Sequence, residues 1–391
     1  MVNVHIIMNS CSHGTRVFRE SAFLVRSGLF SHVRIVALWD PGLEEEQRLD
    51  DQRIITRLRL RTRKLPRLLP FQLIKLVEWF FRALSFTLRL EPKVVTVHHF
   101  NALPVAVLIK WLARCRIVYA PHELETEVTF PSRTRKWLSK LLERSCIDQC
   151  DEIIVVNRSI ANWYQKRYGL DSVHVVKNVP DFAPRKPEEP RFSFRKTFAI
   201  PDDSLVFLYQ GALLPERGIE LALEVFSKSP KAKHMVFMGD GQLVETIIDH
   251  QDRCAHIHFL PKVPSDQILF HTAGADVGIS PIQRTCLNNY YSLPNKVYEY
   301  LYSGLPIIVS DFPELRDLVI TNEVGWAIDM TPENLLQLIE EITPASVDAL
   351  RENVAEFQKK PLWEHETVSL ESAYGNALKA LQRTASPKRQ Y

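Results

Sequence analysis

The property of this 391-residue chain that most restricts its fold is a double alternation of short apolar runs with longer segments of helical period, interrupted once near the middle. Before the interruption the runs are Val4–Met8, Val33–Leu38, Val94–Val97, Ile117–Tyr119, Ile153–Val156 and Val173–Val176. After it come Leu205–Tyr209, Met235–Met238, Ile257–Phe259, Val277–Ile279, Pro306–Val309 and Gly325–Ile328. Short apolar runs between helical segments are the pattern of parallel strands with crossover helices. The interruption, Pro180-Asp-Phe-Ala-Pro-Arg-Lys-Pro-Glu-Glu-Pro190, is rich in proline and charge, has no periodicity, and reads as a linker. The expectation is an α/β protein of two doubly wound, Rossmann-like domains: residues 1–183, a linker over 184–194, a second domain over 195–362, and a closing helix and tail over 363–391. A chain of this length exceeds what one hydrophobic core usually serves. Ligands of such sheets sit at the carboxyl ends of the strands, so two domains would face each other across a cleft.

With 46% hydrophobic and 24% charged residues, a largely disordered chain is excluded, and a net charge of +3 is too small to imply nucleic acid. The six cysteines are scattered without a CxxC pair, which fits a reducing cytoplasm. The amino-terminal residues run straight into a strand pattern and lack the regions of a signal peptide. No segment reaches about eighteen apolar residues without charge, so no transmembrane helix is expected.

Ser292-Leu-Pro-Asn-Lys-Val-Tyr-Glu-Tyr-Leu-Tyr-Ser-Gly-Leu-Pro-Ile-Ile-Val-Ser310 carries the clearest chemistry. Ser292 suits a helix cap and Pro294 a first turn, leaving unpaired N–H groups that favour phosphate. Asn295 and Lys296 stand at that start, and Lys296 adds positive charge. Glu299, one turn on, offers a carboxylate that can accept two hydrogen bonds from a ribose diol. Phosphate plus diol describes a nucleotide sugar; an ordinary Rossmann helix with an incidental Lys and Glu is the alternative.

Other strand ends in this half add weaker signals. In Gln210-Gly-Ala-Leu-Leu-Pro-Glu-Arg-Gly218, Gly211 permits close backbone approach and Arg217 can fork onto a phosphate, or is a surface arginine near a turn. Gly239-Asp240-Gly241 could approach a flat ring or simply turn the chain. Asn288 and Asn289 offer amides to sugar hydroxyls, though asparagine is also a common loop residue.

In this order, Gly211…Glu216-Arg-Gly218, Gly239-Asp-Gly241, Asp276…Ser280-Pro281, Glu299…Gly304-Leu-Pro306 and the closing Trp363…Tyr374 segment resemble the retaining GT-B glycosyltransferases, most closely glycosyltransferase family 4. The resemblance implies a closing helix that returns to the first domain. It implies that Arg217 contacts the donor diphosphate and Glu299 its ribose. It further implies transfer of a sugar, of hexosyl type, with retention of configuration, the leaving phosphate helping to take the acceptor proton. No cofactor and no metal are expected. Two departures stand out: Ala212 replaces the arginine usual after the first glycine, and Tyr291 replaces the earlier acid of an E-x7-E pair. Lys296 is the candidate to replace the charge lost at Ala212.

In the first domain, the turn Asn9-Ser-Cys-Ser-His-Gly14 could bring backbone N–H groups at Gly14 to the donor phosphate, or be a plain strand-to-helix turn. Arg116-Ile-Val-Tyr-Ala-Pro-His-Glu-Leu-Glu125 is similar to a family 4 stretch whose histidine lies beside the transferred sugar, which makes His122 the catalytic-site candidate with Arg217 and Glu299. A metal reading of His98, His99, His122 and Glu123 is disfavoured, since no helical His-x-x-x-His pair occurs.

A basic segment, with Arg57, Arg59, Arg61, Arg63, Lys64 and Arg67, precedes an aromatic-rich amphipathic stretch from Phe71 to Arg82. It suits anionic lipid headgroups of the inner leaflet, or a basic edge strand followed by a core helix. The function expected is a cytoplasmic, nucleotide-sugar-dependent glycosyltransferase acting on a glycan or lipid-linked acceptor in bacterial surface polysaccharide synthesis. A nucleotide-sugar epimerase of the same plan and a degenerate, non-catalytic sugar-binding subunit are the competing functions.

Overall fold

The computed structural model describes residues 1–12, 15–66, 68–180, 185 and 188–385. Gly14 and Arg67 lie outside the described residues. The chain divides into two compact units, one of Met1–Lys177 with the residues from Glu364 onward, the other of Asn178–Trp363.

The first unit is built on strands β1 (Val2–Ile6), β2 (His32–Leu38), β3 (Glu46–Arg48), β4 (Arg53–Leu58), β5 (Val94–Val97), β6 (Arg116–Tyr119), β7 (Glu152–Val155) and β8 (His174–Val175). They lie in the order β3-β4-β2-β1-β5-β6-β7-β8, parallel except for the β3–β4 pair. Val4, Ile6, Ile35, Val94, Val95 and Val97 are fully buried, as a sheet covered on both faces requires. Strand order reverses between β1 and β5, so the carboxyl ends of these two strands flank a topological switch point.

Helix α1 (Thr15–Arg26) joins β1 to β2 in one direction along the sheet. Helices α2 (Leu69–Arg89), α3 (Leu103–Ala113) and α4 (Arg133–Ile147) make their crossovers in the other. Right-handed crossovers therefore put α2, α3 and α4 on one face and α1 on the opposite face. Accordingly, α2 packs on α3 and α3 on α4. The closing helix, Leu362–Ala385, returns to this unit: Tyr374 Oη lies 2.8 Å from Thr96 Oγ1 on β5, and Arg116 donates to the Ala380 carbonyl at 2.6 Å.

The basic segment resolves differently from the sequence reading. Arg53–Leu58 is an interior strand, paired with β2 on one side and β3 on the other. Arg57 does not face a lipid surface: it is 2% exposed, and its guanidinium donates to Ser10 O (2.8 Å), Glu44 O (3.0 Å) and Gln47 Oε1 (2.7 Å). A buried guanidinium must find acceptors, and these three are supplied by the chain itself. Arg63 pairs with Asp40, and Arg59 lies over the Trp39 ring at 4.7 Å. Arg61, Arg63 and Lys64 are exposed on a short 3₁₀ turn.

The second unit carries β9 (Leu205–Ala212), β10 (Lys233–Asp240), β11 (Ile257–Pro261), β12 (Val277–Ser280), β13 (Ile307–Ser310) and β14 (Gly325–Ile328). All are parallel, in the order β11-β10-β9-β12-β13-β14, so the switch point here lies between β9 and β12. Phe207, Ile219, Phe226, Phe237, Ile257, Val277 and Ile308 form its core. Gly278 on β12 has a particular role: a Cβ there would lie 2.3 Å from the Tyr300 ring. Its absence lets the helix Asn295–Tyr302 press against the strand and brings Lys296 and Glu299 to the end of β9.

Candidate active site

At the carboxyl end of β9, the Gln210 N–H donates to Tyr300 Oη (2.9 Å), whose hydroxyl donates to Ile279 O (3.2 Å). The Gln210 side chain is itself oriented, since Thr272 Oγ1 donates to its Oε1 at 2.5 Å. That fixes its Nε2, which donates to Glu299 Oε2 at 2.5 Å. Burial pushes the Glu299 carboxyl up, while the Gln210 donor and the Lys296 charge pull it back.

Lys296 lies on the same helix, and its Nζ sits 3.6 Å from the centroid of the Tyr209 ring. A Cβ on Gly211 would be 3.6 Å from that nitrogen, so the ammonium lies alongside the end of β9. Tyr209 is held in turn by donation from its hydroxyl to Ala212 O at 3.0 Å. Burial, and then the charge of Arg217, lower the Lys296 pKa to about 7 against the opposing pull of Glu299. Lys296 makes no salt bridge and Arg217 neither a hydrogen bond nor a salt bridge among the described residues. Two cations close enough to repel, with no paired carboxylate, form a site that an anion of two or more charges would relieve.

The loop bearing Arg217 is braced from one side. Asn289 Nδ2 donates to Thr285 Oγ1 (2.9 Å), and that hydroxyl donates to Glu216 Oε2 (2.9 Å), next to Arg217. Asn288 and Asn289 are both buried, so at least one amide N–H of Asn289 holds this brace instead of being open to a sugar. Ser292 does not cap the helix as its position suggested. Its hydroxyl donates to Asn289 O at 2.8 Å, and Pro294 takes the cap position with no side-chain hydrogen bond, ahead of Asn295. Gly239 and Gly241 have a packing explanation: a Cβ on Gly239 would lie 1.9 Å from Gly211 O, and one on Gly241 2.3 Å from Leu213 O. Asp240 is exposed, and its carbonyl accepts from Leu213 N at 2.9 Å.

In the first unit, His122 belongs to a line of imidazoles at the β1/β5 switch point. His122 Nε2 lies 3.0 Å from His98 Nδ1, and His98 Nε2 lies 2.8 Å from His5 Nδ1. His99 turns away to Glu125 at 2.5 Å. His5, Glu20 and His98 bring potential ligand atoms within 4.8 Å of one another. Two nitrogens sharing a tetrahedral zinc would lie about 3.3 Å apart, from Zn–N bonds of about 2.05 Å. The 2.8 Å between His5 and His98 is hydrogen-bond spacing, and Arg16 already holds Glu20 at 2.6 Å.

Residues 14–182 match the family model Glycosyltransferase Family 4, and residues 190–360 match Glycosyl transferases group 1. The chain is a GT-B glycosyltransferase of the family 4 type. The glycosyltransferase TuaC of Bacillus subtilis, provisionally assigned to teichuronic acid biosynthesis, is 26% identical over 298 residues, 73% of this chain and 68% of TuaC. Among solved structures, WaaG, a glycosyltransferase involved in lipopolysaccharide biosynthesis, has the same fold with a TM-score of 0.66 at 13% identity, covering 96% of this chain and all (100%) of WaaG. Anabaena HepE, solved in complex with UDP, matches with a TM-score of 0.63 at 12% identity over 98% of each chain. The fold of this glycosyltransferase is thus two α/β domains with parallel sheets.

Sequence reasoning passed over Tyr209, Gln210 and Thr272, which hold Lys296 and Glu299 in place. Gln210 carried a signal: a polar residue ending an otherwise apolar buried strand, directly before a glycine. His5, a buried histidine inside the apolar strand β1, and His98, directly after β5, are likewise polar residues in apolar surroundings.

Proposed function

We propose that this glycosyltransferase takes its sugar from a nucleoside diphosphate donor whose diphosphate lies against Lys296 and Arg217 and whose ribose is held by Glu299. The observation that carries this reading is the pair of mutually repelling cations beside an oriented, half-buried carboxylate at the carboxyl end of β9. Breaking the C1–O bond of the donor leaves growing negative charge on the diphosphate, and fixed positive groups stabilise that charge most where water is scarce. Lys296 and Arg217 supply it without a metal. That HepE was solved with UDP, in the same fold, agrees with this class of donor. His122 is assigned to hydrogen-bonding the transferred hexosyl group. Transfer then proceeds with retention, the leaving phosphate accepting the acceptor proton, so that no dedicated base is needed.

The acceptor proposed is a glycan or lipid-linked saccharide of a bacterial surface polysaccharide, in keeping with the pathways named for TuaC and WaaG. No helix among the described residues is long and apolar enough to cross a membrane. Peripheral contact with the inner leaflet is assigned to the α2–α4 layer and the turn before it. Phe81, Trp111, Trp137 and Leu141 are each at least half exposed there, beside exposed Arg61, Lys64, Arg133 and Arg135. Aromatic side chains next to basic ones suit an anionic headgroup boundary.

Incubation with UDP-, GDP-, ADP- and TDP-sugars, with and without a membrane extract, tests the reading. Release of nucleoside diphosphate that depends on the extract, with the product anomer matching the donor anomer by NMR, is the expected outcome. Interconversion of the donor without transfer would indicate an epimerase, and binding without turnover a non-catalytic subunit.

A further inference from the structure

The hydrogen atoms along the imidazole line can be assigned from one fixed point. His98 Nδ1 lies 3.3 Å from the backbone oxygen of Ala120 as well as 3.0 Å from His122 Nε2. A carbonyl oxygen only accepts, so a bare nitrogen facing it would set lone pair against lone pair. His98 therefore carries its hydrogen on Nδ1. It follows that His98 Nε2 is an acceptor, that His5 donates to it from Nδ1 across 2.8 Å, and that His122 Nε2 is an acceptor of the shared His98 hydrogen. His5 Nε2 is then a bare acceptor; it is buried without a partner among the described residues, and an N–H there would be the costlier group to leave unpaired.

The assignment needs neutral rings. His5 and His98 are fully buried, and Arg16 at the start of α1, ion-paired with Glu20, places a further positive charge near His98 and His122. Burial first, then neighbouring rings and the Arg16 charge, hold His98 and His122 well below the usual histidine range, so both are uncharged at neutral pH.

We infer that His98 is a positioning residue that fixes His122 as the Nδ1–H tautomer, so that the site histidine meets its ligand as a hydrogen-bond donor from Nδ1 and never as an acceptor there. Nδ1 of His122 has no partner among the described residues and is the atom left for that ligand. A donor suits a sugar hydroxyl oxygen or an oxygen gaining negative charge; it could not act as a base. The functional part of this inference rests on the role proposed for His122, whereas the tautomer itself does not.

The test is two-bond ¹H–¹⁵N correlation of the full-length chain labelled at histidine, at neutral pH, together with steady-state kinetics of His98→Phe and His98→Asn. In the wild-type protein His122 should show its proton on Nδ1, as should His98 and His5. His98→Phe keeps a ring but removes the donor, and should shift His122 toward the Nε2–H form that an unconstrained imidazole prefers. It should lower kcat about tenfold, the effect of one hydrogen bond, with the donor KM within about twofold. His98→Asn returns an N–H near the Nδ1 position and should restore both the signature and most of kcat. A wild-type His122 protonated on Nε2 overturns the inference even if no variant folds, and so does an unchanged His122 signature in His98→Phe. If the signatures behave as stated but His122→Ala transfers sugar at the wild-type rate, the tautomer assignment stands and the role proposed for His122 fails.

Discussion

Lys296 places its ammonium 3.6 Å from the centre of the Tyr209 ring, while Tyr209 donates its hydroxyl to the carbonyl of Ala212. The ring that carries the Lys296 ammonium is thereby anchored to the backbone of Ala212, directly after Gly211. A ring face steadies a cation without neutralising it, unlike a carboxylate, and leaves the charge available to an incoming anion.

Charge removal at Lys296 should therefore have opposite effects on binding and stability. Lys296→Met should weaken nucleoside diphosphate binding about tenfold to a hundredfold, about 1.4 to 2.7 kcal/mol. The same change should raise Tm. A lysine whose folded pKa is near 7 and whose unfolded value is 10.5 costs most stability below pH 7, and less as pH rises toward the unfolded value. The Tm gain of Lys296→Met should accordingly be larger at pH 6 than at pH 9, as scanning calorimetry would reveal.

Glu299→Gln should raise the donor KM about tenfold, the loss of a charge-assisted hydrogen bond. The wild-type enzyme should prefer a ribonucleotide over its 2′-deoxy form, and the ratio of the two Kd values should fall toward one in the variant. An unchanged ratio would remove the ribose from the role given to Glu299.

Because Lys296 and Arg217 are assigned the charge developing on the leaving diphosphate, EDTA should leave the rate of transfer within about twofold, whereas Arg217→Ala should lower kcat/KM by about a hundredfold or more. Loss of activity in EDTA with recovery on adding a divalent cation would contradict this assignment.

Membrane contact separates two kinds of basic residue. Arg57→Ala should cost about 2 kcal/mol of stability, since it leaves buried acceptors unpaired, yet binding to phosphatidylglycerol vesicles should be unaltered in the fraction that folds. The double substitution Trp111→Ser with Trp137→Ser should lower vesicle binding about tenfold without a fall in Tm. The reverse pattern in flotation assays would return the lipid surface to the strand segment.

Much of the architecture was readable along the chain, because strands covered on both faces must be apolar: every apolar run used in the sequence reading lies in or next to a strand. Strand β4 was hidden by composition, since Arg57 and its neighbours look solvated until their internal acceptors are known. Lys296 and Glu299 were visible as a local pattern on one helix. Their partners were not: Tyr209, Gln210 and Thr272 are brought to them only by the sheet order. The same holds for His5, His98 and His122, which parallel neighbouring strands set side by side from positions far apart in sequence. Ser292 failed as a cap because its hydroxyl found the Asn289 carbonyl first, a local competition the sequence does not decide.

The central claim is that a nucleoside diphosphate binds against Lys296, and isothermal titration calorimetry at pH 8 in two buffers of different ionisation enthalpy addresses it directly, using whichever of UDP, GDP, ADP and TDP binds tightest. With its pKa near 7, Lys296 is mostly neutral in the free enzyme at that pH, and a bound diphosphate should raise it. The account predicts proton uptake on binding in the wild-type protein, affinity that falls as pH rises above 7, and loss of both effects in Lys296→Met. Binding without proton uptake, or with equal affinity in the wild type and Lys296→Met, would contradict it.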